Sequence, residues 1–236
     1  MNARSVRLSI VPAAALAFAI AWAWTVVLAT GPMASSAADF LIGWTAMMAA
    51  MMLPSAAPMV LLYRLSGGGP RGDLRTLVFA SGYVVVWGTV GLAAYAAAAA
   101  SASLMPQTRT VVAAAVLALA GVYQFTPLKD ACLRACRTPA DFLVQHWRGG
   151  TGGALRLGIA HGVYCLGCCW ALMLVLIVAG STGLQWVVAI ALVVFAEKLL
   201  PRGRVFGRGI GLALLAGAAL LVLRPDLVPF LVNGAT

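Results

Sequence analysis

LRLGIAHGVYCLGCCWALMLVLIVA (Leu155–Ala179) runs for twenty-five residues with one charged side chain, Arg156, near its start. About 20 helical residues cross the roughly 30 Å apolar part of a bilayer, so this stretch is long enough to span one. Ala, Gly and Leu dominate it, and no strict alternation marks a barrel strand. Six further apolar runs flank it: Leu8–Thr30, Phe40–Leu65, Thr76–Ala100, Thr110–Phe125, Leu184–Leu200 and Phe206–Leu223. The first follows Arg4 and Arg7 but exceeds the roughly 7–15 apolar residues of a signal peptide, which makes it a retained helix. The expectation is an all-α membrane protein, one integral domain over residues 1–236. It has a bundle of about seven transmembrane helices plus one cytoplasmic amphipathic surface helix.

Composition agrees with that class. Of 236 residues, 63% are hydrophobic and 9% charged, against about 25% charged in soluble domains. A soluble enzyme with a large exposed domain is excluded. The net charge of +10 does not point to nucleic acid, because the basic residues sit in loops. With the N-terminus in the cytoplasm, fourteen of the sixteen Lys and Arg fall on the inner side, and Arg109 and Arg224 fall outside. Such a bias sets orientation. It places the chain in a bacterial inner membrane with the C-terminus outside, its basic loops against anionic lipid. The one long loop, residues 126–154, carries two cysteines. Its core, Leu128–Trp147, reads as a helix on the inner membrane face, with Leu128, Cys132, Ala135 and Cys136 along one side and Lys129, Arg134 and Arg137 elsewhere. Pro139 interrupts it.

The chemistry-bearing residues are clustered. His161, Cys165, Cys168 and Cys169 share one connected helical face, and side chains three or four positions apart lie about 5–6 Å apart. Cys132 and Cys136 repeat the four-residue spacing. In WTAMMAAMMLPSAAPM (Trp44–Met59), Met47, Met48, Met51 and Met52 form two adjacent pairs one turn apart, before Pro54 and Pro58. Cysteine and methionine also pack cores with no ligand role. Depth favours more: at 1.5 Å per residue, Met51 and Met52 lie about 16–18 Å from Phe40, and Cys165 to Cys169 about 15–21 Å from Leu155. Both clusters then meet near the bilayer midplane. Soft sulfur donors select Cu(I), and zinc is the second candidate through His161 and the thiolates. Glu197 and Lys198 close the sixth span, where charges ordinarily snorkel to water, and as adjacent residues they do not face each other. Tyr123, Gln124 and Tyr164 are candidate hydrogen-bonding neighbours of the site.

WTAMMAAMMLPSAAP, YQFTPLKDACLRACR (Tyr123–Arg137), HGVYCLGCCWALM (His161–Met173) and AEKLLP (Ala196–Pro201) resemble an uncharacterised bacterial family of predicted metal-binding integral membrane proteins. The resemblance runs from about Trp44 to Pro201. It implies metal binding, with Met47, Met48, Met51, Met52, Cys132, Cys136, His161, Cys165, Cys168, Cys169, Glu197 and Lys198 as motif positions. Members carry further methionines and an asparagine just after the fifth span, where this chain has Thr182, Gly183 and Val187.

Three functions compete. In the first, the protein binds Cu(I) for transport or delivery to a copper-accepting or copper-donating protein. Met33, Met47 and Met48 guide the ion, Cys165, Cys168 and Cys169 hold it, and Cys132 and Cys136 exchange it at the cytoplasmic face. In the second, CLGC (Cys165–Cys168) belongs to a thiol–disulfide oxidoreductase linked to quinone, although cysteines at or below the midplane sit away from the oxidising side. In the third, the sulfurs only pack a membrane scaffold or assembly subunit. No phosphate loop, Ser-His-Asp pattern or paired carboxylate appears, which favours a metal transporter or metallochaperone-like protein over an enzyme.

Overall fold

The computed structural model describes residues 23, 36–66, 72–180 and 183–224. The expected first span, Leu8–Thr30, falls outside them except for Ala23, and so do Arg4, Arg7, Met33, Arg71 and Thr182. The described residues form eight helices and no strand: α1 (Ala37–Ser66), α2 (Gly72–Ala102), α3 (Pro106–Tyr123), α4 (Pro127–Arg137), α5 (Pro139–His146), α6 (Gly150–Gly180), α7 (Leu184–Leu199) and α8 (Gly203–Leu223).

Local chemistry sets the helix ends. Ser36 Oγ accepts from the Asp39 N–H at 3.1 Å and donates to the Asp39 carboxylate at 2.8 Å, closing the first turn of α1. Pro127 opens α4 behind Thr126, whose Oγ1 accepts from the Lys129 N–H at 3.3 Å. Pro139 starts α5, so the single surface helix expected over Leu128–Trp147 is two helices divided at Thr138. Helix α1 continues through Pro54 and Pro58.

Four helices among the described residues are long and apolar enough to cross a membrane: α1, α2, α6 and α8. A fifth span arises if α3 and α4, bent by 65° between Tyr123 and Pro127, count as one. Helix α7, in place of the expected sixth run, has 16 residues, about 24 Å of rise, short of the roughly 30 Å apolar layer.

Two glycine seams bring backbones together. On α2 and α6, a Cβ at Gly82 would lie 2.7 Å from the Leu155 carbonyl oxygen, and one at Gly158 would run into the Phe79 carbonyl. Only glycine permits that approach, as at small-residue interfaces in membranes. On α8, Gly203, Gly207 and Gly211 recur every four residues and lie against α7, the end of α3 and Arg137 of α4. Helix α6 thus takes the centre, packed by α2, α3, α4 and α7, with α1 joined to it through α2 and α7.

Candidate metal centre

Helix α6 carries three thiols inward. Cys165, Cys168 and Cys169 are 0%, 1% and 1% exposed, and their Sγ atoms all lie within 4.8 Å of one another. The spacing does this: one helical turn stacks position 165 over 168 and 169. The Cys168 and Cys169 thiols each donate to the Cys165 carbonyl at 3.1 Å, the back-bonding open to small polar side chains within a helix.

Cys136 comes from a different helix and packs, half-buried, against the core cluster that holds all three. Cys132, one turn earlier, rests on Gly167, where an added Cβ would lie 2.6 Å from its Sγ. Tyr123 donates its hydroxyl to the Gly167 carbonyl, fastening the end of α3 at the same level. This corrects the picture of two stations. Helix α4 folds back onto α6, with Cys132 and Cys136 packed against the core that holds the inner thiols. Its burial is also the reverse of that expected: Leu128 is 61% exposed and Lys129 only 3%. The reason is a charge partner 68 residues away. Lys129 Nζ lies 2.7 Å from Glu197 Oε2, and Glu197 is 1% exposed.

Glu197 and Lys198 therefore do not snorkel. Adjacent on α7, they point about 100° apart and serve two different neighbours. Glu197 takes Lys129, and Arg137 of α4 donates to the Glu197 and Leu200 carbonyls at 2.5 and 2.6 Å, capping the end of α7. Lys198 Nζ donates to Ser55 Oγ of α1 at 2.8 Å and to Cys165 Sγ at 3.1 Å. Tyr83 of α2 places its hydroxyl 3.0 Å from Cys165 Sγ and 3.3 Å from the Met52 carbonyl. Cys165 is thus reached by α2 through Tyr83 and by α7 through Lys198, with α1 joined to them through Ser55 and the Met52 carbonyl. These contacts were not legible from spacing alone. Glu197 Oε1 and Gln124 Oε1 are buried without a hydrogen-bond partner among the described residues.

Met47, Met48, Met51 and Met52 are all buried, in the same core cluster as the three inner cysteines. Thioethers and thiols therefore line one interior, not opposite sides of the bundle. Met173, four residues beyond Cys169, is buried there too. Its turn-spaced position after Cys165 and Cys169 was the signal for it in the sequence. His161 takes a different place. Its ring packs among Phe79, Tyr83 and Phe142, with centroids 6.2, 5.7 and 5.3 Å away, and its Nδ1 is buried without a partner. The close group of ligand atoms is made by the three cysteines and does not include His161.

A helical bundle enclosing three or four convergent thiols defines a protein built to take a soft metal ion. The chain belongs to the family described as "PpoB2: Copper chaperone", whose model matches residues 41–221. That span holds Met47, Met48, Met51, Met52 and Met173, all five cysteines and both histidines. No curated protein and no solved structure matches the chain. The family points to copper, and a donor set of thiols and thioethers suits it.

Proposed function

We propose that this protein is a membrane-embedded copper chaperone that takes Cu(I) onto Cys165, Cys168, Cys169 and Cys136 and delivers it to a partner or across the bilayer. The observation that carries this reading is the meeting of three buried Sγ atoms within 4.8 Å of one another, with Cys136 of α4 packed against the same core. Cu(I) is satisfied by two or three sulfurs and prefers thiolate and thioether to oxygen. Each thiol that joins the ion releases its proton.

The surrounding parts take roles in sequence. Met47, Met48, Met51 and Met52 line the approach from α1 with weak thioether donors. Cys136, half-buried where the inner cysteines are fully enclosed, is the exchange point with a copper-donating or copper-accepting protein, and Cys132 backs it against Gly167. His161 offers Nδ1 as a neutral donor next to Tyr83 for an ion on its way to Cys165. The long apolar helices lie in a bacterial inner membrane, with the basic loops against anionic lipid. Zinc is the competing metal, disfavoured by the methionine lining.

Anaerobic purification with Cu(I) tests the reading. The wild-type protein is expected to carry about one copper per chain, and the C165S/C168S double variant none above background. Equal copper in both refutes it.

A further inference from the structure

The buried ammonium of Lys198 has no carboxylate partner within ion-pair distance among the described residues. Glu197, its neighbour in sequence, is committed to Lys129 on the other side of α7. Lys198 is 5% exposed, and its polar contacts are a hydroxyl, Ser55 Oγ, and a sulfur, Cys165 Sγ. A charge withdrawn from water without an opposite charge is costly. The sulfur it touches is one of the copper ligands proposed above, so the charge it faces is that of a copper-bound thiolate.

We propose that Lys198 is the resident counter-ion of the copper site, a positioning residue whose ammonium faces the charge of the copper-bound thiolates. This rests on the copper reading above and assigns the regulation of that same site. Its Nζ is held between Ser55 Oγ and Cys165 Sγ. In the loaded state Cu(I) bonds Cys165 and a second sulfur, and each thiol gives up its proton. Two thiolates and one monovalent cation then carry a single negative charge, and the same ammonium cancels it.

Ser55 gives the mechanism its second position. Bonded to Lys198 Nζ at 2.8 Å and donating its own proton to the Met52 carbonyl at 2.8 Å, it holds the ammonium close when copper occupies the sulfur.

The test uses the full-length protein in detergent under anaerobic conditions, titrated with Cu(I) against a chromophoric Cu(I) chelator. Lys198→Met is expected to weaken Cu(I) binding by at least about tenfold, the size of effect a lost charge partner has in a partly polarisable interior. Lys198→Arg keeps the charge and is expected to stay within about threefold of wild type, a rescue that a purely structural lysine would not show. Ser55→Ala, which leaves the ammonium in place, is expected to weaken binding about two- to fivefold, and it carries the test if Lys198→Met does not fold. Wild-type affinity in Lys198→Met, Arg as weak as Met, or unchanged affinity in Ser55→Ala overturns the counter-ion. No copper on the wild-type protein overturns the copper site itself, so the two failures are told apart.

Discussion

Replacing Glu197 by Gln puts the largest single strain on this fold. Glu197 is 1% exposed, and its Oε2 lies 2.7 Å from a lysine that is 3% exposed. The substitution keeps volume and shape and removes the charge, leaving Lys129 buried without an anion. Breaking one side of such a pair costs about 3–5 kcal/mol, and among the described residues no second carboxylate lies within ion-pair distance of Lys129. Lys129→Met strands the carboxylate and should cost a similar amount. The double variant, Lys129→Met with Glu197→Gln, leaves no orphan charge and is expected to recover most of the loss, a coupling of about 2–3 kcal/mol in a double-mutant cycle. The assay is unfolding in mixed micelles with increasing denaturing detergent, followed by helical circular dichroism. Additive effects of the two single substitutions, or a Glu197→Gln variant as stable as wild type, would refute a buried ion pair joining α4 to α7.

Two further outcomes follow from the same contacts. Gly158→Ala drives a Cβ into the Phe79 carbonyl and is expected to destabilise the protein by about 1–3 kcal/mol, seen as a lowered melting temperature in detergent. Gly209→Ala, which meets nothing within 4 Å, serves as the neutral control, and equal melting of the two would count against the α2–α6 seam. Cys136→Ser is expected to weaken Cu(I) binding about tenfold and Cys132→Ser much less, because Cys136 is the proposed exchange point against the inner cluster, whereas Cys132 rests on Gly167. The reverse order in a competition titration would return α4 to the role of a separate station.

The helices from Ala37 onward were largely legible, because long apolar runs and prolines at Pro106, Pro127 and Pro139 announce where helices stand and begin. Helical spacing likewise exposed the Cys165, Cys168 and Cys169 group. Long-range partners were not legible. Nothing local pairs Lys129 with Glu197 or brings Lys198 to Cys165, and the ordinary expectation for a charge near a membrane edge sends all three to water. The same omission made α4 look like a surface helix. Its amphipathicity is real, but the face turned inward carries Lys129 and Leu133, since an opposite charge waited there. His161 was drawn into the sulfur group by turn spacing, while its ring in fact sits one turn away among Phe79, Tyr83 and Phe142.

The close approach at Gly82 and Gly158 separates what can evolve in this protein from what cannot. The sulfur positions are side chains on an already fixed scaffold, so exchanging one donor for another retunes metal preference and leaves the backbone where it is. At the seam, the alignment of the α2 hydroxyl with the α6 thiol is set by places where no side chain exists. New specificities in descendants of this chain are therefore open through donor swaps and closed through the glycines, whose replacement would move the whole donor array at once.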